Sequence, residues 1–304
     1  MKVSIIGAGN VGATLAERII SHEIADVVLV DVVGGLAAGK ALDLTDAAPV
    51  MGYDSKIAGT DDYSKIKNSD IIVITAGLAR KPGMSRDDLI AKNSAIIRAV
   101  VMGIKKFSPG SIVIVVTNPL DIMTYLAYGE LECERSRVLG MAGNLDAARF
   151  KALIAEKLAV SPKEIEAYVL GSHGDTMVPI VSESKVSGKP LSGAVDPGAL
   201  KQLIERTKKR GGEIVGLLKS GSAYFSPSAS VFEIVKAVKN DEKRVIPCSC
   251  VTEGEYGLSG CAIGVPAKIG KSGIEKIVEW KLDREESEAL AASAAAVKEV
   301  LVRR

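Results

Sequence analysis

Lys2-Val-Ser-Ile-Ile6 runs directly into Gly7-Ala-Gly-Asn-Val-Gly12, and a segment with helical periodicity continues to about Ser21. The first five residues are typical of a buried strand, and the segment after the glycines is typical of a helix. A G-x-G-x-x-G motif alone is weak evidence. Here it joins a strand to a helix, and an acidic residue, Asp31, ends the next strand about twenty residues later. The stretch therefore predicts a dinucleotide-binding α/β domain, in which the glycines let the backbone approach a pyrophosphate at the helix N-terminus.

The acidic residue after the second strand distinguishes between the two nicotinamide cofactors. Asp31 would accept hydrogen bonds from ribose hydroxyls, whereas a 2′-phosphate would meet its carboxylate, and Val32 and Val33 offer no opposing charge. We therefore expect NAD rather than NADP. The alternative is a tight turn that binds no ligand. The loop residues expected to contact the cofactor are Gly7, Ala8, Gly9, Asn10, Val11 and Gly12.

Strands and helices continue to alternate through the first half of the chain. Helices are predicted over Gly35–Ala47 and Arg86–Phe107, and strands near Lys56–Gly59 and over Asp70–Ile74 and Ser111–Val116. This alternation predicts a Rossmann-type, doubly wound parallel sheet of the α/β class, with ligands at the carboxyl ends of its strands. The glycine loop, Asp31, Thr75–Arg86 and Val116–Asn118 all follow such ends.

From about Gly143 the pattern changes to a mixture of helices and antiparallel strands. A helix over Asp146–Leu158 and a strand over Ile165–Leu170 precede a tight turn, and a loop follows up to Pro190. A long helix, capped by Asp196, is predicted to be interrupted at Gly211-Gly212. Further predicted elements are a helix from Ser226 and strands near Val245–Thr252, Ala262–Ile269 and Ile274–Glu279. A final helix is predicted to begin with a capping box formed by Asp283 and Glu286. We expect an NAD-binding domain over residues 1–142 and a mixed α+β substrate domain over residues 143–304.

The composition excludes several classes of protein. Of 304 residues, 47% are hydrophobic and 25% are charged, which is ordinary for a globular enzyme. Basic residues number 39 and acidic residues 37, and aromatic residues make up 4%, so neither nucleic acid nor an acidic membrane is an expected partner. We expect no signal peptide, no membrane span and a cytoplasmic location. Cys248-Ser249-Cys250 has no partner pair at zinc spacing, so we expect no metal site.

Two arginines flank a Pro-Gly turn in the stretch Thr75–Arg86. Arg86 begins a helix, where a cation opposes the helix dipole, and Ser85 with Asp88 predicts a capping box. Arg86 is therefore either a surface charge neutralised by Asp87 and Asp88, or a group placed for an anionic ligand.

Histidine is scarce, with only His22 and His173 in the chain. His22 ends a surface helix and is expected to be solvated, whereas His173 lies in a glycine-containing turn after a strand. A histidine base needs an orienting partner on its other ring nitrogen, and Asp146, with Arg149 one turn later, is the expected one. Spacing alone leaves a plain structural role for His173 equally open. Asn93, on an apolar helical stripe, is either hydrogen-bonded to backbone or directed at a ligand.

Several ordered motifs are similar to those of the lactate/malate dehydrogenase family, and most closely to its lactate-dehydrogenase-like malate dehydrogenases. They are Gly-Ala-Gly-Asn-Val-Gly at 7–12 with Asp31, Thr-Ala-Gly at 75–77, Arg-Lys-Pro-Gly-Met-Ser-Arg at 80–86, Thr-Asn-Pro-Leu-Asp at 117–121, Asn-Leu-Asp-Ala-Ala-Arg-Phe at 144–150 and Gly-Ser-His-Gly-Asp-Thr at 171–176. The resemblance covers essentially the whole chain.

The resemblance implies a role for each polar residue of these motifs. His173 would accept the hydroxyl proton of a 2-hydroxy acid while a hydride passes to NAD⁺, and Asp146 would orient the imidazole. Arg149 would bind the C1 carboxylate, and Arg86, on a closing loop, would polarise the carbonyl. Asn118 would contact both substrate and cofactor, and Thr75, Gly77, Asn93 and Val116 would line the cofactor site.

Arg80 determines which substrate the resemblance implies. In the family this position faces the far end of the 2-oxo acid, where glutamine accompanies lactate and arginine accompanies a second carboxylate. A guanidinium facing the methyl group of lactate would lack a counter-charge. We therefore expect (S)-malate and oxaloacetate. The alternatives are a lactate or broader 2-hydroxy-acid dehydrogenase and, from another class, a catalytically silent dinucleotide-binding protein.

The sequence departs from the usual family pattern at two positions. Asn144 replaces a more usual apolar residue, and Ser172 replaces a more usual glycine; both lie beside catalytic positions, where we expect them to tune activity without removing a catalytic group. The resemblance also implies a homodimer or homotetramer, with the Gly35–Ala47 helix as an interface element.

Overall fold

A nine-stranded sheet organises the computed structural model, which describes residues 1–79 and 83–303. Six of its strands are parallel: β1 (Lys2–Ile6), β2 (Asp26–Val30), β3 (Ile57–Thr60), β4 (Ile71–Ile74), β5 (Ile112–Val115) and β6 (Val138–Gly140). Their spatial order is β3-β2-β1-β4-β5-β6, with the change of direction between β1 and β4. This is the strand order of a doubly wound dinucleotide-binding sheet, so the predicted Rossmann-type architecture is confirmed.

The helices of the first half cover the faces of this sheet. They are α1 (Asn10–Ser21), α2 (Leu36–Met51), α3 (Arg86–Phe107) and α4 (Leu120–Leu131). Helix α1 buries Leu15 and Ile19, and α3 buries Ile90 and Ile97. The strands between them are buried on both sides and read as continuous Val/Ile runs, as parallel strands do. The predicted Ser85–Asp88 capping box at the start of α3 is present.

The second half adds strands to the same sheet. Its elements are α5 (Gly143–Leu158), β7 (Ile165–Leu170), β8 (Val178–Val186), β9 (Lys189–Pro190), α6 (Leu191–Ala194), α7 (Pro197–Leu218), α8 (Phe225–Lys239), β10 (Arg244–Glu253), β11 (Ser259–Gly270), β12 (Gly273–Ile277) and α9 (Arg284–Val302). Strands β10, β11 and β12 are antiparallel to one another, as predicted, and β10 pairs with β6 through Ser249 and Gly140. The full order is β12-β11-β10-β6-β5-β4-β1-β2-β3, and β7, β8 and β9 form a separate small sheet.

Two predictions about the second half are wrong. Helix α7 runs without interruption through Gly211-Gly212, because each glycine costs a helix only about 1 kcal/mol and packing against α5 outweighs that cost. The segment predicted as a loop before Pro190 contains β8, which pairs with β7 and turns at Ser187-Gly188, both with positive φ. Its polar Ser-Glu-Ser-Lys run conceals a strand whose partner decides its conformation.

Three cysteines lie in the interior of the protein. Cys248, Cys250 and Cys261 are buried and unpaired, and burial raises their thiol pKa values, which fits a packing role. Across residues 1–79 and 83–303, no His/Cys/Asp/Glu group suited to a metal ion occurs. Over the same ranges, none of the helices has the length and apolar character needed to cross a bilayer.

Candidate active site

The loop between β1 and α1 contains glycines for two different reasons. Gly7 has a φ of +110°, and a Cβ there would lie 2.6 Å from the backbone nitrogen of Ala76. A Cβ on Gly12 would lie 1.9 Å from the carbonyl oxygen of Gly7. The fold itself therefore requires these two glycines. Gly9 differs, because its φ is an ordinary −66° and its Cβ would have no non-neighbouring atom of the described residues within 4 Å.

The N-terminus of α1 is open to a ligand. Gly9 is its N-cap residue and makes no side-chain capping hydrogen bond, and the first turn contains no acidic residue. The first N–H groups of a helix lack partners within the helix, and with the helix dipole they favour an anion. A pyrophosphate would use the space that Gly9 leaves empty, so the loop fits a dinucleotide.

The loops that follow β1, β4 and β5 are hydrogen-bonded to one another. The Thr75 hydroxyl donates to the carbonyl oxygen of Gly7 at 2.9 Å, and the Thr117 hydroxyl donates to the carbonyl oxygen of Ala76 at 2.7 Å. A Cβ on Gly77 would lie 2.5 Å from Cγ2 of Thr117. Thr75 and Thr117 thus hold the three loops together at the carboxyl edge of the sheet. Gly77, which is expected with Thr75 to line the cofactor site, leaves room for Thr117 to approach.

Asn93 follows the first of its two predicted alternatives. Its Oδ1 accepts from the backbone N–H of Leu78 at 2.8 Å, and its Nδ2 donates to the carbonyl oxygens of Leu78 at 3.1 Å and Asn118 at 2.6 Å. The buried amide is therefore satisfied by backbone. It ties the segment after β4 to the turn that carries Asn118.

Asp31 is fixed beside the glycine loop. Its two carboxylate oxygens accept from the backbone N–H groups of Ala8 at 2.7 Å and Val33 at 2.9 Å. Lys40 of α2 donates to the carbonyl oxygen of Ala8 at 2.7 Å. Lys40 could not be recognised from the sequence, because a lysine in the second turn of an exposed helix carries no signal that distinguishes it from a surface charge.

His173, Asp146 and Arg149 form one hydrogen-bonded group. His173 Nδ1 lies 2.8 Å from Asp146 Oδ2, and Arg149 donates to Asp146 Oδ1 at 3.1 Å. The side chains of His173, Asp146 and Arg149 are 17%, 2% and 11% exposed, respectively. Because a carboxylate only accepts, neutral His173 carries its hydrogen on Nδ1 and leaves Nε2 as a proton acceptor. The structure therefore brings together the three residues that the motifs at 144–150 and 171–176 suggested.

Two opposing effects set the proton affinity of His173. Burial lowers the pKa of the imidazole, but the charge of Asp146 and the hydrogen bond to it act in the opposite direction. Arg149 lowers the pKa and Asp121 raises it, and the net pKa is raised above the ordinary value of 6.5. His173 is thus a stronger base than a solvated histidine.

Asp121 is the residue of this site to which the sequence analysis assigned no role. It is 2% exposed and accepts the backbone N–H of His173 at 2.8 Å. It ends the motif Thr-Asn-Pro-Leu-Asp at 117–121, but no sequence signal connects it to a turn 52 residues away. Asn144 faces α8, where its Nδ2 donates to the carbonyl oxygen of Ser230 at 2.8 Å.

The other predicted site residues lie at the same edge of the sheet. Arg86 is the first residue of α3 and is exposed, and among the described residues it forms no hydrogen bond or ion pair with the His173 group. Val116 is half-buried directly after β5, and Asn118 is exposed beyond it. Arg80 lies outside the described residues.

Two family models cover nearly the whole chain. The NAD-binding domain of lactate/malate dehydrogenase matches residues 1–140, and the alpha/beta C-terminal domain of lactate/malate dehydrogenase matches residues 143–303. The chain belongs to the lactate/malate dehydrogenase family. It is accordingly an NAD-dependent oxidoreductase, and the resemblance predicted from the motifs is confirmed.

Individual members of the family resemble the chain over its full length. A malate dehydrogenase of Chlorobium phaeobacteroides is 51% identical over 98% of this chain and 97% of that protein. The apo structure of malate dehydrogenase from Picrophilus torridus is 45% identical, with a TM-score of 0.95 over 98% of this chain and 95% of that one. Lactate dehydrogenase from Cryptosporidium parvum, solved with lactic acid and NAD, is 37% identical, with a TM-score of 0.95 over 98% of this chain and 96% of that one.

Proposed function

We propose that the chain is an NAD-dependent malate dehydrogenase, which catalyses reversible hydride transfer between (S)-malate and NAD⁺. The observation that carries the proposal is the buried group of His173, Asp146 and Arg149, which combines a proton acceptor with a guanidinium on a shared carboxylate. Such a group suits a substrate that has both a hydroxyl to deprotonate and a carboxylate to bind.

The chain's own residues would hold the cofactor at the carboxyl edge of the sheet. The uncapped N-terminus of α1 and the space beside Gly9 suit the pyrophosphate, and the fixed carboxylate of Asp31 suits the adenosine ribose. When bound, NAD⁺ supplies the hydride acceptor. All proton handling then falls to the protein.

His173 would handle the proton in both directions. In malate oxidation its Nε2 accepts the proton of the C2 hydroxyl, and Asp146 stabilises the imidazolium through the 2.8 Å contact at Nδ1. In oxaloacetate reduction the protonated imidazole returns that proton to the carbonyl oxygen. Because Asp146 is almost completely buried, its charge acts on the ring with little screening by water.

Arg149 would bind the C1 carboxylate. Its Nε is buried and has no hydrogen-bond partner among the described residues, although an arginine interior to a protein normally satisfies its donors. A carboxylate ligand would supply the acceptor that this guanidinium lacks.

Arg86 would polarise the carbonyl oxygen from the start of α3. The carboxylate of Asp88 is occupied by the capping box, since it accepts from the hydroxyl of Ser85 at 2.7 Å and from its N–H at 3.2 Å. Neither of these bonds involves the Arg86 guanidinium, which is exposed at the start of the helix, where it can turn toward a ligand. We further propose that the loop from Thr75 to Arg86 closes over the bound cofactor and excludes water.

The choice of malate over lactate rests on Arg80 and on relatives named malate dehydrogenase. We expect NADH oxidation with oxaloacetate to be much more efficient than with pyruvate. Arg80→Gln should move the ratio of the two kcat/KM values toward pyruvate by about two orders of magnitude, because the distal carboxylate loses its cation. Arg98→Gln, an exposed arginine of α3 paired with Glu130, is the matched control. A wild-type preference for pyruvate would overturn the assignment of malate.

The proton-transfer role has its own test. His173→Asn should lower kcat by roughly 10²–10⁴-fold and leave NADH affinity nearly unchanged, because a general base contributes about that factor to turnover. His22→Asn, which alters an exposed histidine packed on Phe232, is the control. Retained turnover in His173→Asn would remove the proposed base. NADH binding by the wild type without turnover on any 2-oxo acid would instead favour the silent binding protein.

We also propose a homodimer or homotetramer in which α2 forms an interface. Only Ala37 and Ala41 of α2 are buried, whereas Leu42 is 67% exposed and Val50 and Met51 are exposed beyond it. An unpaired apolar surface of this kind marks a contact region. Leu42→Glu should reduce the molar mass measured by light scattering. Met102→Glu, on an equally exposed position of α3 at 72%, should not reduce it. An unchanged mass for Leu42→Glu would contradict the proposal.

A further inference from the structure

The turn that carries His173 is held through its backbone N–H groups by three different elements. Gly171 donates to a carbonyl oxygen of β11 at 2.9 Å. Ser172 donates to the hydroxyl of Ser293 on α9 at 2.9 Å, and His173 donates to Asp121 on α4 at 2.8 Å. Asp121 is the charged partner among the three. The orientation of the imidazole therefore depends on a carboxylate that lies on the backbone side of His173.

Asp121 is a buried carboxylate that accepts three hydrogen bonds. Besides the N–H of His173, its Oδ2 accepts from the hydroxyl of Ser172 at 2.7 Å, and its Oδ1 accepts from the hydroxyl of Ser249 on β10 at 2.6 Å. Among the described residues it has no salt-bridge partner. The net pKa of Asp121 is raised, because burial outweighs the three donors and the charge of His173, which act in the opposite direction. The carboxylate accepts all three hydrogen bonds and donates none, which is the arrangement of the ionised form.

Burying a carboxylate without a salt-bridge partner is costly, and Asp121 is such a carboxylate directly behind the proposed catalytic base. We propose that Asp121 is a positioning residue, which fixes the His173 turn through its backbone N–H and supplies a second negative charge that stabilises the protonated imidazole. This inference rests on the proposed role of His173. Ser172, where the family more usually has glycine, takes part in this positioning, because its hydroxyl donates to the same Oδ2 of Asp121 as the N–H of His173.

The charged groups that act on His173 come from two elements. Helix α5 contributes Asp146 and Arg149, which oppose each other in their effect on the imidazole, and α4 contributes Asp121. On the far side of Asp121, β11 contributes Cys261, whose thiol pKa is raised by burial, so the thiol is neutral. Removal of Asp121's charge would therefore leave Asp146 as the anion that raises the proton affinity of His173, with Arg149 opposing it.

Asp121→Asn separates charge from geometry. The amide oxygen can still accept from the N–H of His173 and the hydroxyl of Ser172, and the hydroxyl of Ser249 can rotate to accept from the amide NH₂. We expect the pKa of His173 to fall on the order of 0.5 unit, because the lost charge is close but partly neutralised by its donors. The acid limb of kcat/KM for malate oxidation should move to lower pH by the same amount.

The chain offers a direct measurement, because it contains only two histidines. Protein labelled with ¹³C-histidine gives two ring signals, assigned by His173→Asn, and exposed His22 serves as the internal reference for each titration. The matched control is Glu286→Gln, which also changes a buried carboxylate that accepts backbone N–H groups, here from β8. It should leave the His173 titration unchanged.

A second variant keeps the inference testable if Asp121→Asn does not fold. Ser172→Ala removes one contact and keeps the charge, so the pKa of His173 should not fall. A fall in Ser172→Ala, or an unchanged titration in folded Asp121→Asn, would overturn the inference. Either result would leave the proposed function standing, since that depends on the loss of turnover in His173→Asn.

Discussion

Gly9→Ala and Gly12→Ala should separate the two uses of glycine in the loop after β1. At Gly12 the added methyl carbon would lie 1.9 Å from the carbonyl oxygen of Gly7, and contacts under 3.0 Å are essentially never found for real Cβ atoms. Backbone must therefore move by roughly 1 Å, and no side-chain rotation can relieve the contact. We expect a loss of about 3 kcal/mol or more in the free energy of unfolding, at or beyond the upper end for overpacked sites.

Gly9→Ala should leave the apoprotein nearly as stable as the wild type. The methyl group projects into open space, and the φ of −66° suits alanine. A small gain from lower unfolded-state entropy and a small loss at the N-cap position nearly cancel, so the change should stay within about 1 kcal/mol. The methyl would instead displace the pyrophosphate from the N–H groups of α1. Losing one or two charge-assisted hydrogen bonds weakens NADH binding by about 10–100-fold.

The assays are urea unfolding of each apoprotein and titration of NADH fluorescence at fixed ionic strength. Gly12→Ala should lose stability, whereas Gly9→Ala should keep its stability and lose NADH affinity, with affinity measured per folded molecule. Wild-type NADH affinity in Gly9→Ala would refute the placement of the pyrophosphate. A loss of stability in Gly9→Ala equal to that in Gly12→Ala would refute the claim that the fold does not need Gly9.

Three further predictions address the ribose site, the proton and the C-terminal helix. Asp31→Ser should raise the ratio of kcat/KM with NADPH to kcat/KM with NADH, because the carboxylate that repels the 2′-phosphate is gone. The affinity for NADH should fall at the same time. An unchanged ratio would show that Asp31 does not exclude the 2′-phosphate. Malate oxidation needs neutral His173, so its kcat/KM should fall as the pH drops through the pKa of His173, which lies above 6.5. Oxaloacetate reduction needs protonated His173, so its kcat/KM should stay high up to that pKa. If the free enzyme titrated at or below pH 6.5 in these profiles, the proposed effect of Asp146 on His173 would be contradicted. Glu286→Ala should lower the free energy of unfolding by about 2–4 kcal/mol, because the N–H groups of Val181 and Ser182 lose their buried acceptor. The control is Glu285→Ala, which changes an exposed neighbour and should lower it by less than about 1 kcal/mol. Equal losses for the two variants in calorimetry would show that the contact with β8 contributes nothing.

Short-range signals in the sequence were sufficient for much of the fold. The strand, glycine loop and helix over residues 2–21 are local, and so are the capping boxes that begin α3 and α9, which the structure confirms. Strand β8 and the unbroken α7 were missed because each depends on a partner: β7 supplies the ladder for β8, and α5 supplies the packing that carries α7 through Gly211-Gly212. Local propensity is outweighed by tertiary contacts at both places. The predicted division near residue 143 stays a prediction.

The candidate active site was also predictable only where sequence motifs carry its residues. His173, Asp146 and Arg149 were suggested by motifs, and the structure brings them together. The hydrogen bonds around Asp121 left no trace in the sequence, because Ser172 is 51 residues and Ser249 is 128 residues away from it. Arg86 and Asn118 lie at the predicted edge, but their contacts with a substrate stay predictions.

The pairing of β10 with β6 has a mechanical consequence. The histidine turn is bonded to β11, which lies in the same continuous sheet as β1, the strand that ends in the glycine loop. The two halves of this sheet meet where β10 pairs with β6, and α4 packs across that junction. Hinge bending between the two halves would break that ladder, so the proton acceptor and the nucleotide cradle form a single rigid frame. Catalytic alignment is then built in when the chain folds and does not have to be recreated at each turnover. The radius of gyration in solution should accordingly stay the same when NADH binds, and any motion that accompanies catalysis should be confined to surface loops.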